Sequence, residues 1–131
     1  MKGTAFATAI LNHYLGGPSY AAPATHYLAL FSTLPAGGVA GTELAGGGYA
    51  RVPITNTTTA WPTAVAGAKS NGLAIVFAPA TVNWAQAVAF GLFDAATGGS
   101  LIAAGPLAVA VTVAVGNVVW FPAGSLTISE T

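Results

Sequence analysis

Charge is the scarcest thing in this chain. Lys2, Arg51, Lys69, Glu43, Asp94 and Glu130 are its only charged side chains, 5% of 131 residues, and they sum to zero. Ordinary soluble domains carry about 25%. A folded chain of this length exposes roughly 6,300 Å², or about one charge per 1,000 Å², where a soluble monomer keeps roughly 25–35% of its surface residues charged. Such a surface is either covered by neighbouring chains or set in lipid. Three basic residues against three acidic ones also exclude an electrostatic nucleic-acid binder, which needs several Lys and Arg to displace counterions. Cysteine is absent, which removes disulfides and thiolate chemistry.

Long apolar runs are missing too. A spanning helix needs about 20 apolar residues in a row. The best stretch, 101–115, is shorter, is broken by Gly105 and Pro106, and is rich in β-branched Val. Extending it to 121 crosses Gly116-Asn117, a turn signal. A secretory signal is also poorly formed, because the apolar run 5–11 gives way to Asn12, His13 and Tyr14. With no membrane span, assembly is the better account: an apolar surface of this extent usually marks a protein–protein interface.

What is present is 54% hydrophobic residues and 17 glycines, arranged as one helix followed by short strands. Phe6, Ile10, Leu11 and Tyr14 recur at helical spacing. Thr4 offers an N-cap and Gly16-Gly17-Pro18 a stop, so the spacing predicts a helix over 4–15. His13 then falls where it can meet the last helix carbonyls. Residues 25–31 alternate with both faces apolar, as in a strand covered on both sides, and His26 reads as a hydrogen-bonded strand histidine. After a glycine-rich loop over 33–48, strands are expected at 49–54, 73–77, 85–94 and 101–107. The stretch 55–71 reads as loop, with room for one short strand. A hairpin is expected with arms 109–115 and 118–121 about Gly116-Asn117, then a last strand over 125–129. Short strands separated by turns about every ten residues predict a mainly β fold: an antiparallel β-sandwich or barrel-like domain with one short N-terminal helix. The organisation expected is a single domain over 1–131, with the helix in 1–17 and the β domain in 25–131. The expected core holds Leu28, Leu30, Val88, Phe90, Leu92 and Val119.

Catalytic patterns are weak. His13 and His26 lie on separate elements without metal-binding spacing, and no nucleophile elbow occurs. Gly67-Ala68-Lys69-Ser70 resembles the end of a phosphate loop, but Ala68 separates the glycine from the lysine. The reading is therefore no enzyme, no cofactor and no metal. Trp61, Trp84 and Trp120 could stack on sugars, yet tryptophans more often fill cores and interfaces. Asp94 follows an apolar strand directly and precedes Gly98-Gly99, so its carboxylate is placed to accept backbone N–H groups and fix that turn.

The order of segments is itself distinctive. HYLALFSTLP (26–35), GTELAGGGYARVPI (41–54), NWAQAVAFGLFDAATGGSLIAAGPL (83–107) and VVWFPAGSLTIS (118–129) together resemble a family of small tailed-bacteriophage virion proteins, labelled tail-fibre-like, with similar members serving as capsid decoration or cement proteins. The resemblance implies a non-enzymatic structural protein on the virion. Its expected partners are the major capsid protein or other virion proteins, and further copies of itself, as a homotrimer. A short chain without fibrous repeats favours capsid decoration over a tail fibre or tail tip that contacts the host. The contact candidates are Phe6 and Ile10 on the helix, Leu34 and Leu44 in the apolar loop 34–45, and Trp61 in the loop 61–66.

Overall fold

A computed structural model of the chain describes residues 1–129; Glu130 and Thr131 lie outside the described residues. The fold is mainly β with one short helix, and its sheets are antiparallel and do not close into a barrel. Helix α1 (Thr4–Tyr14) is followed by β1 (Thr25–Phe31), β2 (Val52–Thr55), β3 (Ala68–Ser70), β4 (Ile75–Val76), β5 (Ala87–Phe93), β6 (Leu101–Val111), β7 (Trp120–Phe121) and β8 (Thr127–Ser129). Four strands form one sheet in the order β2-β1-β5-β6, and two ribbons, β3-β8 and β4-β7, stand beside it.

The central pair follows from sequence alternation. β1 and β5 run antiparallel with Leu28 opposite Leu92 and Leu30 opposite Phe90. Alternation sends side chains to two faces. Leu28, Leu30, Phe90 and Leu92 join the larger cluster, which also takes Trp61, Phe77, Trp84, Val113, Val119 and Leu126. Ala29, Phe31, Ala89 and Phe93 form a smaller cluster with Leu101 and Ala104. Both faces of the sheet are thus covered, as the apolar runs require. Five of the six expected core residues are buried. Val88 is the exception: it packs against the smaller cluster, because the register slips between Ala87 and Ala89 and breaks the period-2 pattern.

One glycine is fixed by packing. A methyl group at Gly91 would come within 2.5 Å of the Phe31 ring, so β1 can carry Phe31 diagonally across from that position only with no side chain there. The buried Asn71 ties two loops together. Its amide donates to Leu73 O at 2.8 Å and Pro122 O at 3.0 Å, and its Oδ1 accepts the Leu126 N–H at 3.0 Å. One side chain therefore satisfies backbone groups of two irregular segments, the one between β3 and β4 and the one between β7 and β8.

Several expectations need correction. The helix begins at Thr4 with Gly3 as N-cap, not Thr4. Gly3 is held there by its N–H on Ile102 O at 2.9 Å, and a side chain at Gly3 would overlap the Leu101 carbonyl. His13 does not meet the helix carbonyls; its Nδ1 accepts the Tyr20 N–H at 2.9 Å. The strands expected at 49–54 and 73–77 shorten to β2 and β4. The hairpin about Gly116-Asn117 does not form as a paired ribbon. β6 runs through Pro106 to Val111, and β7 pairs with β4, placing Phe121 opposite Ile75 and Trp120 opposite Val76. Phe121 gains the Phe77 ring at 6.3 Å by this exchange.

Candidate interaction surface

Two of the charged residues, Arg51 and Glu43, are paired within the chain. Arg51 lies eight residues beyond Glu43 in the glycine-rich approach to β2. Its Nε and Nη2 donate to Glu43 Oε1 and Oε2, each at 2.8 Å. Its Nη1 donates to Ala95 O and Gly98 O, also at 2.8 Å. Its guanidinium carbon stands 3.7 Å from the centre of the Phe93 ring, within cation–π range. The Tyr49 hydroxyl donates to Glu43 Oε1 at 2.8 Å and accepts the Leu30 N–H at 3.0 Å. Burial opposes the charge on Glu43, but hydrogen bonds from Arg51 and Tyr49 and the Arg51 charge outweigh it, so its pKa falls below the usual value. Burial, and then the Glu43 hydrogen bond and charge, hold the Tyr49 hydroxyl protonated far above its ordinary range, against the opposing Leu30 bond.

Asp94, Gly98 and Gly99 sit in the turn that Arg51 grips. Asp94 Oδ1 accepts the Ser100 N–H at 2.7 Å. Gly98 and Gly99 have φ of 60° and 73°, a region glycine enters without strain. These groups bind the β5–β6 turn to the 43–51 segment.

With so few charges and two of them paired, large apolar side chains stand on the surface. Residues 3–42 contain no charged side chain. Helix α1 buries none of its residues fully. Phe6 and Ile10 are partly buried on its inner side, while Leu11, Tyr14 and Leu15 are exposed, Tyr14 by 84%. Leu34, Val39 and Val65 stand out from the loops. Leu44 and Trp61 do not: they are 5% and 6% exposed and belong to the larger core cluster, which removes them from the contact candidates. The loops fold back to cover the sheet, and only their tips project.

An apolar groove of about 340 Å³ opens beneath α1, lined by Phe6, Ile10, Tyr20, His26, Trp61 and Ile102 among others. Sequence reading placed His26 in a hydrogen bond, but its Nδ1 is buried without a partner, as is Trp61 Nε1. Burial lowers the His26 pKa, and the Asp94 charge only partly opposes this. Among the described residues no cluster of His, Asp and Glu could hold a metal ion, and no helix is long and apolar enough to cross a membrane.

The chain was also compared with known proteins. The family described as "Podophage GP4 fiber I protein gp80" matches residues 2–129. The chain belongs to this family. It is thus a tailed-phage structural protein of the fibre-like class, and the match takes in α1, which the quoted sequence motifs left out. The family therefore covers the apolar helix face as well as the gripped turn. No curated protein sequence matches the chain.

Proposed function

We propose that the protein is a non-enzymatic subunit of a phage fibre or tail tip, built into the particle as a homo-oligomer through uncharged, apolar contacts. The observation that carries this reading is the family match over 2–129; the charge-free segment 3–42 supports the mode of contact. Leu11, Tyr14 and Leu15 at the end of α1, with Leu34 and Val39, supply the surface. A stable interface buries about 1,600 Å² in total, with roughly 25 cal/mol per Å² of apolar burial before the cost of association. Repeated contacts in an oligomer add by effective concentration. Three-fold assembly is the form proposed.

A second reading is capsid decoration, in which the oligomer clamps neighbouring copies of the major capsid protein. The absence of any fibrous or heptad repeat in 131 residues favours it. Gold-labelled antibody on intact particles separates the two, with label at the tail expected and label over the shell supporting decoration. Particles lacking the protein would then break at a lower temperature only under the decoration reading. In either place, attachment is expected to survive an increase from about 0.1 M to 1 M salt, where the screening length falls from roughly 10 Å to 3 Å. Release by salt would overturn the apolar-contact mechanism.

A further inference from the structure

Of the three tryptophans, two are enclosed and Trp120 is 58% exposed. Val119, just before β7, and Phe121 within it are buried, and residue 120 between them points out. That accounts for the direction of the side chain and not for its type. A Thr or Lys would sit there without leaving on the order of 100 Å² of indole in water.

Trp120 borders a groove of about 340 Å³ with Val111, Thr112, Asn117 and Val118. The groove exists because the two arms of the expected hairpin are parted: β6 pairs with β5, and β7 with β4. The Thr112 hydroxyl has only a long contact, 3.5 Å from Gln86 Nε2. The Asn117 side-chain amide makes no hydrogen bond among the described residues. None of the residues lining the groove is ionisable.

Each property narrows the ligand. A phosphate, carboxylate or ammonium group would lose water here without a counter-charge. An amide offers both donors and acceptors, and a hydroxyl offers either, so neutral hydroxyl groups suit them. The aromatic face asks for an apolar C–H surface. The volume falls within the range of small-ligand sites, which begins at about 300 Å³. We propose that this groove binds a neutral saccharide, with the Trp120 indole stacked on the C–H face of a pyranose and with Asn117 and Thr112 bonded to its hydroxyls. The inference does not depend on where in the particle the chain stands.

The test is titration of the isotope-labelled full chain by NMR with four neutral probes: maltotriose, mannotriose, galactobiose and chitotriose. At least one, at about 10 mM, is expected to shift the Trp120 indole signal and backbone signals of 111–121, leaving the Trp61 and Trp84 indoles in place. Trp120→Ala should abolish the backbone shifts with an unchanged melting temperature, and Asn117→Ala should weaken binding about tenfold. No response to any of the four probes overturns the proposal, as do shifts that persist in W120A. A change in sedimentation of W120A, without any saccharide response, would assign Trp120 to a protein contact and equally overturn it.

Discussion

Arg51 meets Glu43 through two parallel hydrogen bonds of 2.8 Å, and the Arg51 side chain is only 6% exposed. Two of the chain's six charges are thereby committed to one enclosed contact. A buried guanidinium is tolerated only where its donors are largely satisfied, and here Ala95 O and Gly98 O take both N–H groups of Nη1, bringing the bonded donors to four of five. The pair joins the 43–51 segment to the β5–β6 turn, two regions that share no strand ladder.

Removing either partner should therefore be costly. Arg51→Ala leaves the carboxylate with only the Tyr49 hydroxyl and takes the Arg51 donors from two carbonyls, and about 3 kcal/mol is expected. Glu43→Ala leaves the guanidinium, only 6% exposed, without its counter-charge, so a loss of at least about 3 kcal/mol is expected. Arg51→Lys keeps the charge and loses the fork, giving a smaller loss. Urea denaturation of the three variants checks the order. Equal stability of R51A and wild type would show that the contact contributes nothing.

Acidification should destabilise the fold in two steps. His26 is held neutral, with its folded pKa below the ordinary 6.5, chiefly by burial. The unfolded chain then binds the proton more readily, so the stability is complete above pH 6.5 and declines as pH falls towards the folded pKa. Glu43 also has a lowered pKa, against an ordinary value of 4.5. Its contribution is complete above pH 4.5 and is lost as pH falls through the folded value. Denaturation between pH 8 and pH 3 reads both. His26→Gln should flatten the upper step and leave the lower one. An unchanged upper step in H26Q would assign that titration to another group.

Gly91 and Phe31 should behave as a coupled pair. Gly91→Ala places a methyl against the Phe31 ring, and overpacking of this kind costs about 1–3 kcal/mol. Phe31→Leu alone opens a void in the smaller cluster. The double variant should cost less than the sum of the singles by at least about 0.5 kcal/mol, as expected for residues in contact. Additive costs in thermal melts would mean that the ring moves aside freely.

The central sheet was legible because β1 and β5 write their burial as alternation, with Leu28, Leu30, Phe90 and Leu92 on one face. Partner choice was not. Gly116-Asn117 signals a turn wherever it falls, yet β7 leaves its neighbour for β4 because Phe121 gains Phe77 there. Period-2 patterning says that a segment is extended; it does not say which edge it joins. The Arg51–Glu43 contact was also missed, since Glu43 falls in the glycine-rich loop over 33–48 and Arg51 in the strand expected at 49–54, and neither pattern names a partner. Their rarity was the available signal: charges so few are seldom left in water without a role. Trp61, Trp84 and Trp120 are indistinguishable by composition, and only tertiary packing separates the exposed one.

Helix α1 gives the sharpest test of self-assembly. Eleven residues form a marginal helix in isolation, and this one buries no residue fully within its own chain. Leu11, Tyr14 and Leu15 lie on its outer end, exposed, so their replacement touches nothing in the monomer core. Surface changes of this kind normally alter stability by no more than about 0.5 kcal/mol. The triple variant Leu11→Ser, Tyr14→Ser, Leu15→Ser should therefore keep the denaturation midpoint of a dilute monomer while shifting sedimentation from oligomer to monomer at matched concentration. Phe6→Ser, on the inner side against the larger cluster, should instead lower the midpoint. If the triple variant sediments as the wild type does, the oligomer contact lies elsewhere, and the loop tips at Leu34 and Val39 become the next surface to alter.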